Sequence, residues 1–157
     1  MRNLRTRVLF ISVLLSSLSA SAQRQPVPVN QPDYNKSTLF TALPEKITIA
    51  TNSLATALKT TTGNTVSITL SDEPVFRFEG QVVSTVSKYE NKIQSVVIRS
   101  SNFDGATLTI SRITNDDGTQ SYTGRIISFG HGDLYELQTS GGQLILVKKK
   151  LNDLVNE

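Results

Sequence analysis

The chain has one histidine, His131, set in Phe129-Gly130-His131-Gly132-Asp133. An imidazole that titrates near neutral pH, with a carboxylate two residues on, could act as an oriented base or as half of a metal site. His131 and Asp133 are therefore the candidate binding residues. Nothing else in the sequence completes a catalytic set around them. Cysteine is absent, which excludes thiol catalysis, thiolate metal sites and disulfides. A Ser-His nucleophile or a histidine zinc site would have only His131 to draw on. The two flanking glycines also predict an exposed hairpin tip, where His131 is a polar turn residue. No catalytic residue, metal site or cofactor is expected.

Other residue sets point to weaker chemistry. Glu79 and Glu136 are a conceivable glycosidase pair, but the sequence gives no means of bringing them together. Asn115-Asp116-Asp117-Gly118 offers calcium-friendly oxygens without the spacing or distal Glu of an EF-hand loop, and Asp-Gly is a hairpin signal in itself. Lys148-Lys149-Lys150 fits a guard on a sheet edge. Gly130-x-Gly132 lies between strands, with no following helix or Gly-Lys-Ser/Thr, and is no phosphate loop.

The elements that must position these residues have a period of two from Asn64 onward. Val66, Ile68 and Leu70 alternate with Thr and Ser. Strand regions follow at Val75–Ser87, Ile93–Arg99, Ala106–Ile113, Ser121–Phe129, Asp133–Thr139 and Gln143–Lys149, separated by Gly- and Asp-rich turns. Ile113 breaks its alternation and hints at a bulge. Glu45–Thr51 reads as a further short strand. Ser37 could cap a turn carrying Leu39, Phe40 and Leu43. Asn52 or Ser53 could cap a helix through Leu54 and Leu58 that ends at Gly63. The fold class is all-β, an antiparallel sandwich or barrel of about seven to nine strands with one or two short N-terminal helices. Ile68, Leu70, Val82, Val97, Leu108, Ile110, Ile126, Tyr135, Leu137 and Leu146 should be buried. Phe78–Ser84 and Tyr122–Ser128 share an aromatic-x-Gly-x-aliphatic-aliphatic-Ser pattern, which a duplicated three-strand meander would explain.

Residues 1–22 read as a signal peptide. Arg2, Arg5 and Arg7 precede the apolar stretch Val8–Leu15, and small residues lead to Ala20-Ser21-Ala22, which predicts cleavage before Gln23. The apolar stretch is too short to span a bilayer. The formal charge of +3 comes from these three arginines, and the remainder holds 13 basic and 13 acidic residues. A nucleic-acid partner therefore loses its electrostatic warrant. Pro26, Pro28 and Pro32 make residues 23–36 an extended linker, residues 37–150 a single β-rich domain, and residues 151–157 a tail with room for one helical turn. The expected location is periplasmic or extracellular, with no integral membrane segment in the mature chain.

Leu39-Phe40, Leu43-Pro44, Ile47, Phe78-x-Gly80, Ser95-Val96-Val97-Ile98 and Gly132–Leu137 together resemble the β-rich N-terminal prodomain of secreted zinc metalloproteases, over most of residues 37–140. The resemblance implies an inhibitor or chaperone of such a protease, with Asp133, and His131 after it, approaching the zinc from a protruding tip. No protease domain follows in this chain. The leading expectation is a secreted, non-enzymatic domain that binds a protein or cell-surface partner. The prodomain-like inhibitor is the alternative, and a small carboxylate-dependent hydrolase is the third.

Overall fold

The computed structural model describes residue 33 and residues 35–154. The expected signal peptide, the linker apart from Asp33, Asn35 and Lys36, and the last three residues of the tail lie outside the described residues.

Eight strands form: β1 (Lys46–Ile49), β2 (Thr65–Asp72), β3 (Val75–Lys88), β4 (Ile93–Ser100), β5 (Thr107–Thr114), β6 (Gln120–Ile127), β7 (Asp133–Ser140) and β8 (Gln143–Lys150). Each β-turn sends the chain back beside itself, so β2 to β8 make an unbroken antiparallel meander, and β1 pairs with the far side of β8. The edge strands β1 and β2 approach each other without a ladder between them, which makes the sheet a nearly closed barrel. This is the all-β class expected from the period of two.

One α-helix is present among the described residues, α1 (Thr51–Ala57), which links β1 to β2 and buries Leu54 and Ala57. It starts two or three residues earlier than expected. Its N-cap is Ala50, which makes no side-chain cap, and neither Asn52 nor Ser53 serves as one. The Ser37 segment makes a turn, closed by Leu43 N–H on the Phe40 carbonyl, and no helix. Leu151–Leu154 forms a single 3-10 turn after β8.

Alternation fills the barrel. Ile47, Ile68, Leu70, Phe78, Val82, Val96, Ile98, Leu108, Ile110, Ile126, Tyr135 and Leu146 point inward and are buried together. Of the ten expected core residues only Val97 faces out. In the run Val96-Val97-Ile98 either parity satisfies the pattern, and pairing of Val96 with Ile110 and Ile98 with Leu108 decides it. β5 has a continuous register, so the irregularity expected at Ile113 is absent. Bulges lie instead between Thr69 and Ser71 and between Val82 and Ser84.

The two echoed glycines admit close strands, but different ones. A Cβ on Gly80 would sit 2.0 Å from the carbonyl oxygen of Arg99 on the following strand. A Cβ on Gly124 would sit 2.6 Å from that of Thr109 on the preceding strand. The likeness in sequence therefore does not carry over to equivalent packing.

Candidate functional site

Among the described residues, the barrel interior is filled by the apolar side chains of its strands. Ile49, Leu54, Leu70, Ile110, Leu137 and Leu146 border a void of about 10 Å³ whose exposed surface is apolar, the volume of about one water probe.

His131 and Asp133 lie at the end where β7 begins. Asp133 is 4 % exposed. One carboxylate oxygen accepts the Leu39 N–H at 2.6 Å and the other the Phe40 N–H at 2.9 Å. This aspartate is a latch. It satisfies two backbone donors and holds the 36–45 segment across the barrel mouth. Phe40 then plugs the mouth, its ring 5.1 Å from Tyr135 and 5.5 Å from Phe103. Further ties secure the strap: Gly132 N–H to the Ser37 carbonyl at 2.8 Å, the Tyr135 hydroxyl to the Pro44 carbonyl, and the Lys148 ammonium to the Leu43 carbonyl. Burial pushes the Tyr135 hydroxyl pKa up, with Glu45 and Asp133 adding to the effect.

His131 is half-buried rather than fully exposed, because its Nδ1 sits 2.9 Å from the Ser128 hydroxyl and folds the ring against its own loop. The two residues nominated from the sequence lie two apart, His131 in the loop and Asp133 at the start of β7, and their side chains engage different partners.

The other sequence candidates are likewise engaged. Glu136 meets Lys149 and Arg125 (3.3 Å) and accepts from Gln138 at 3.1 Å. The hydrogen bond from Lys149 holds its carboxyl below the ordinary glutamate range, the wrong direction for a general acid. Glu79 belongs to β3, with β4, β5 and β6 between it and β7. Asp117 accepts both the N–H and hydroxyl of Thr119, which lowers its pKa, and Asp116 pairs with Lys92 at 2.8 Å. That acidic run is a hairpin turn. The lysine run pairs with β7 through Asp133, Leu134 and Tyr135, while the β1 ladder on the other side of β8 ends at Val147 and is followed by the Lys148 N–H on the Glu45 carbonyl.

The opposite end was missed in the sequence. β2 accompanies β3 only as far as Gln81, whereas β4 accompanies it to Lys88. Likewise β7 accompanies β6 only from Gly124 to Ile127, whereas β5 follows it to Gln120. The outer parts of β3, β4, β5 and β6 therefore run on as a four-stranded wing. Where β6 and β7 part, a shallow groove of about 350 Å³ is lined by Thr109, Ser111, Thr123, Arg125 and Glu136.

The convex face of the wing carries Val86, Ile93 and Ile113 among Ser84, Ser95 and Ser111, and Tyr89 stands at its tip. Tyr89 is 72 % exposed, Ile113 44 % and Val86 41 %. The tip turns through three consecutive residues with positive φ, Tyr89, Glu90 and Asn91. On the concave face Arg112 reaches Gln94, while its buried Nε has no acceptor. The available signal was length. The strand region ending at Ser87 is longer than its neighbours, and a strand that outruns its partner must project.

No protein-family model, curated protein or solved structure matches this chain.

Proposed function

We propose that the protein is a secreted, non-enzymatic binding domain whose wing engages a partner protein. The observation that carries this reading is the combination at the winged end of exposed Val86, Tyr89 and Ile113 with strands that have outrun their neighbours. Exposed apolar groups next to unpaired strand margins are the usual material of protein interfaces. A filled interior favours surface recognition over enclosure of a small ligand. Export rests on the basic start, apolar stretch and Ala20-Ser21-Ala22 of the N-terminal segment. Intact mass of the exported product should begin at Gln23, and retention of residues 1–22 would remove the export reading.

The prodomain-like inhibitor has less support, since Asp133 could meet a zinc ion only by abandoning the latch on Leu39 and Phe40. The hydrolase has less again, since Glu136 is held ionised by Lys149 and has three strands between it and Glu79.

The test uses the immobilised full chain and proteins from its own culture. Val86→Asp combined with Tyr89→Ala should abolish capture of the proteins retained by the unaltered chain. Phe129→Asp, an exposed aromatic at the plugged end, should leave capture intact. The reverse pattern would transfer binding to the plugged end, and an unchanged profile in both variants would end the wing reading.

A further inference from the structure

The outer edge of β3 carries more than exposed side chains. Val82 turns both of its backbone groups toward the loop after α1, donating to the Asn64 carbonyl at 2.9 Å and accepting from Gly63 N–H at 2.8 Å. Beyond it β3 has β4 on one side and, among the described residues, no strand on the other. Thr114 N–H donates to the Lys92 carbonyl at 2.7 Å, which turns the backbone groups of Gln94 toward β5. Ser87, opposite Gln94, therefore directs its N–H and C=O away from β4, and alternation gives Thr85 the same orientation. Two donors and two acceptors stand in a row on an edge of β-favouring residues, Val83-Ser84-Thr85-Val86-Ser87-Lys88, which the loop after α1 touches through the Thr62 hydroxyl, 3.2 Å from that of Thr85.

The geometry points to this edge as a strand-addition site for an extended acidic peptide segment of a partner protein. The inference deepens the proposed wing function and rests on it. Main-chain hydrogen bonds from Thr85 and Ser87 would fix the added segment, and the side chains of Val86 and Lys88, two residues apart on the convex face, would select it. The fitting segment places an aliphatic residue beside Val86 and a carboxylate beside Lys88.

Charge decides against a second copy of this chain. Lys59, in the loop at one end of the edge, and Lys88, at the other, are exposed and form no ion pair with a described residue. Two antiparallel copies would bring each Lys88 to the Lys59 end of its neighbour, like charge against like. Terminal lysines are a recognised guard against such self-pairing. A segment carrying Asp or Glu turns the same cations into attractive partners.

The experiment adds a short alternating Thr-Val peptide carrying one Glu to the isotope-labelled full-length chain and follows amide shifts and hydrogen exchange. Saturable shifts along residues 83–88, with slowed exchange at Thr85 and Ser87, are expected. Replacing the peptide Glu by Lys should weaken binding about two- to fivefold, as an exposed cross-strand charge pair does. Lys88→Glu should reverse that preference. N-methylation of the peptide amides that face β3 should abolish binding.

Indifference to N-methylation, or shifts confined to another surface, would overturn strand addition. So would concentration-dependent protection of Thr85 and Ser87 in the protein alone, which would assign the edge to self-association. If wing substitutions abolish protein capture while the peptide leaves Thr85 and Ser87 unprotected, the wing stands as the interface and strand addition falls.

Discussion

The two ends of the barrel are finished by opposite means. At the plugged end a strap is drawn across the mouth, its backbone donors are met by Asp133, and Phe40 stacks into a cluster with Phe76, Phe103 and Tyr135. At the winged end the strands run past their neighbours and leave Thr85, Ser87, Val86 and Tyr89 to solvent. The same alternating sequence builds both. What differs is whether another segment returns to cover the strand ends. Stability therefore concentrates where contacts are dense, and the surface available to a partner lies where they are sparse.

Four measurements would break or sharpen that contrast. The largest effect belongs to Phe40→Ala, which should cost about 3–5 kcal/mol by emptying the plug. Urea unfolding reads it, and a loss below about 1 kcal/mol would mean that the plug is not part of the core.

Asp133→Ala comes next. It strips two charge-assisted hydrogen bonds and leaves the Leu39 and Phe40 donors unpaired, at about 1.5–3 kcal/mol. Hydrogen exchange should quicken across residues 36–45 and not in the wing. Uniform acceleration would show that the two ends unfold as one.

Glu136 supplies a pH-dependent term. Its folded pKa is depressed, chiefly by Lys149, so its contribution is complete above the unfolded value of about 4.3 and is lost as pH falls through the lower folded value. Glu136→Gln should cost less than about 1 kcal/mol at neutral pH, and its deficit relative to the unaltered chain should vanish in acid. A deficit that persists at low pH would indicate lost packing in place of lost charge.

The smallest effect belongs to Tyr89→Ala, expected within about 0.5 kcal/mol of the unaltered protein. A larger loss would make the wing tip a structural element and weaken its reading as an interface.

Strand positions and most of the core were legible because inward and outward residues alternate wherever a sheet has one buried face. Val97 escaped since three successive aliphatics leave the parity open. The wing escaped for a related reason. Valine and hydroxyl residues continue to alternate beyond Val82, although β2 has already stopped, and periodicity describes a strand without counting its neighbours. Asp133 was singled out as a binding candidate, and its part in holding the strap was hidden. The amides it serves lie 94 and 93 residues away in the chain, and no local pattern announces such a partner. His131 was read as a turn residue, and the Ser128 hydroxyl that draws it inward sits only three residues away.

The pairing of β1 with β8 has a mechanical side. Lys46 opposite Val147 lies at the plugged end, and Ile49 opposite Leu144 lies farthest from it. The first described stretch and the final 3-10 turn both leave the barrel at that same end. A pull on the two termini would therefore load this ladder like a zipper, one rung after another, and not in shear across all rungs together. The strap held by Asp133 stands in line before the first rung. Under tension it would be the element that yields first, while the wing, remote from both points of attachment, would carry no load.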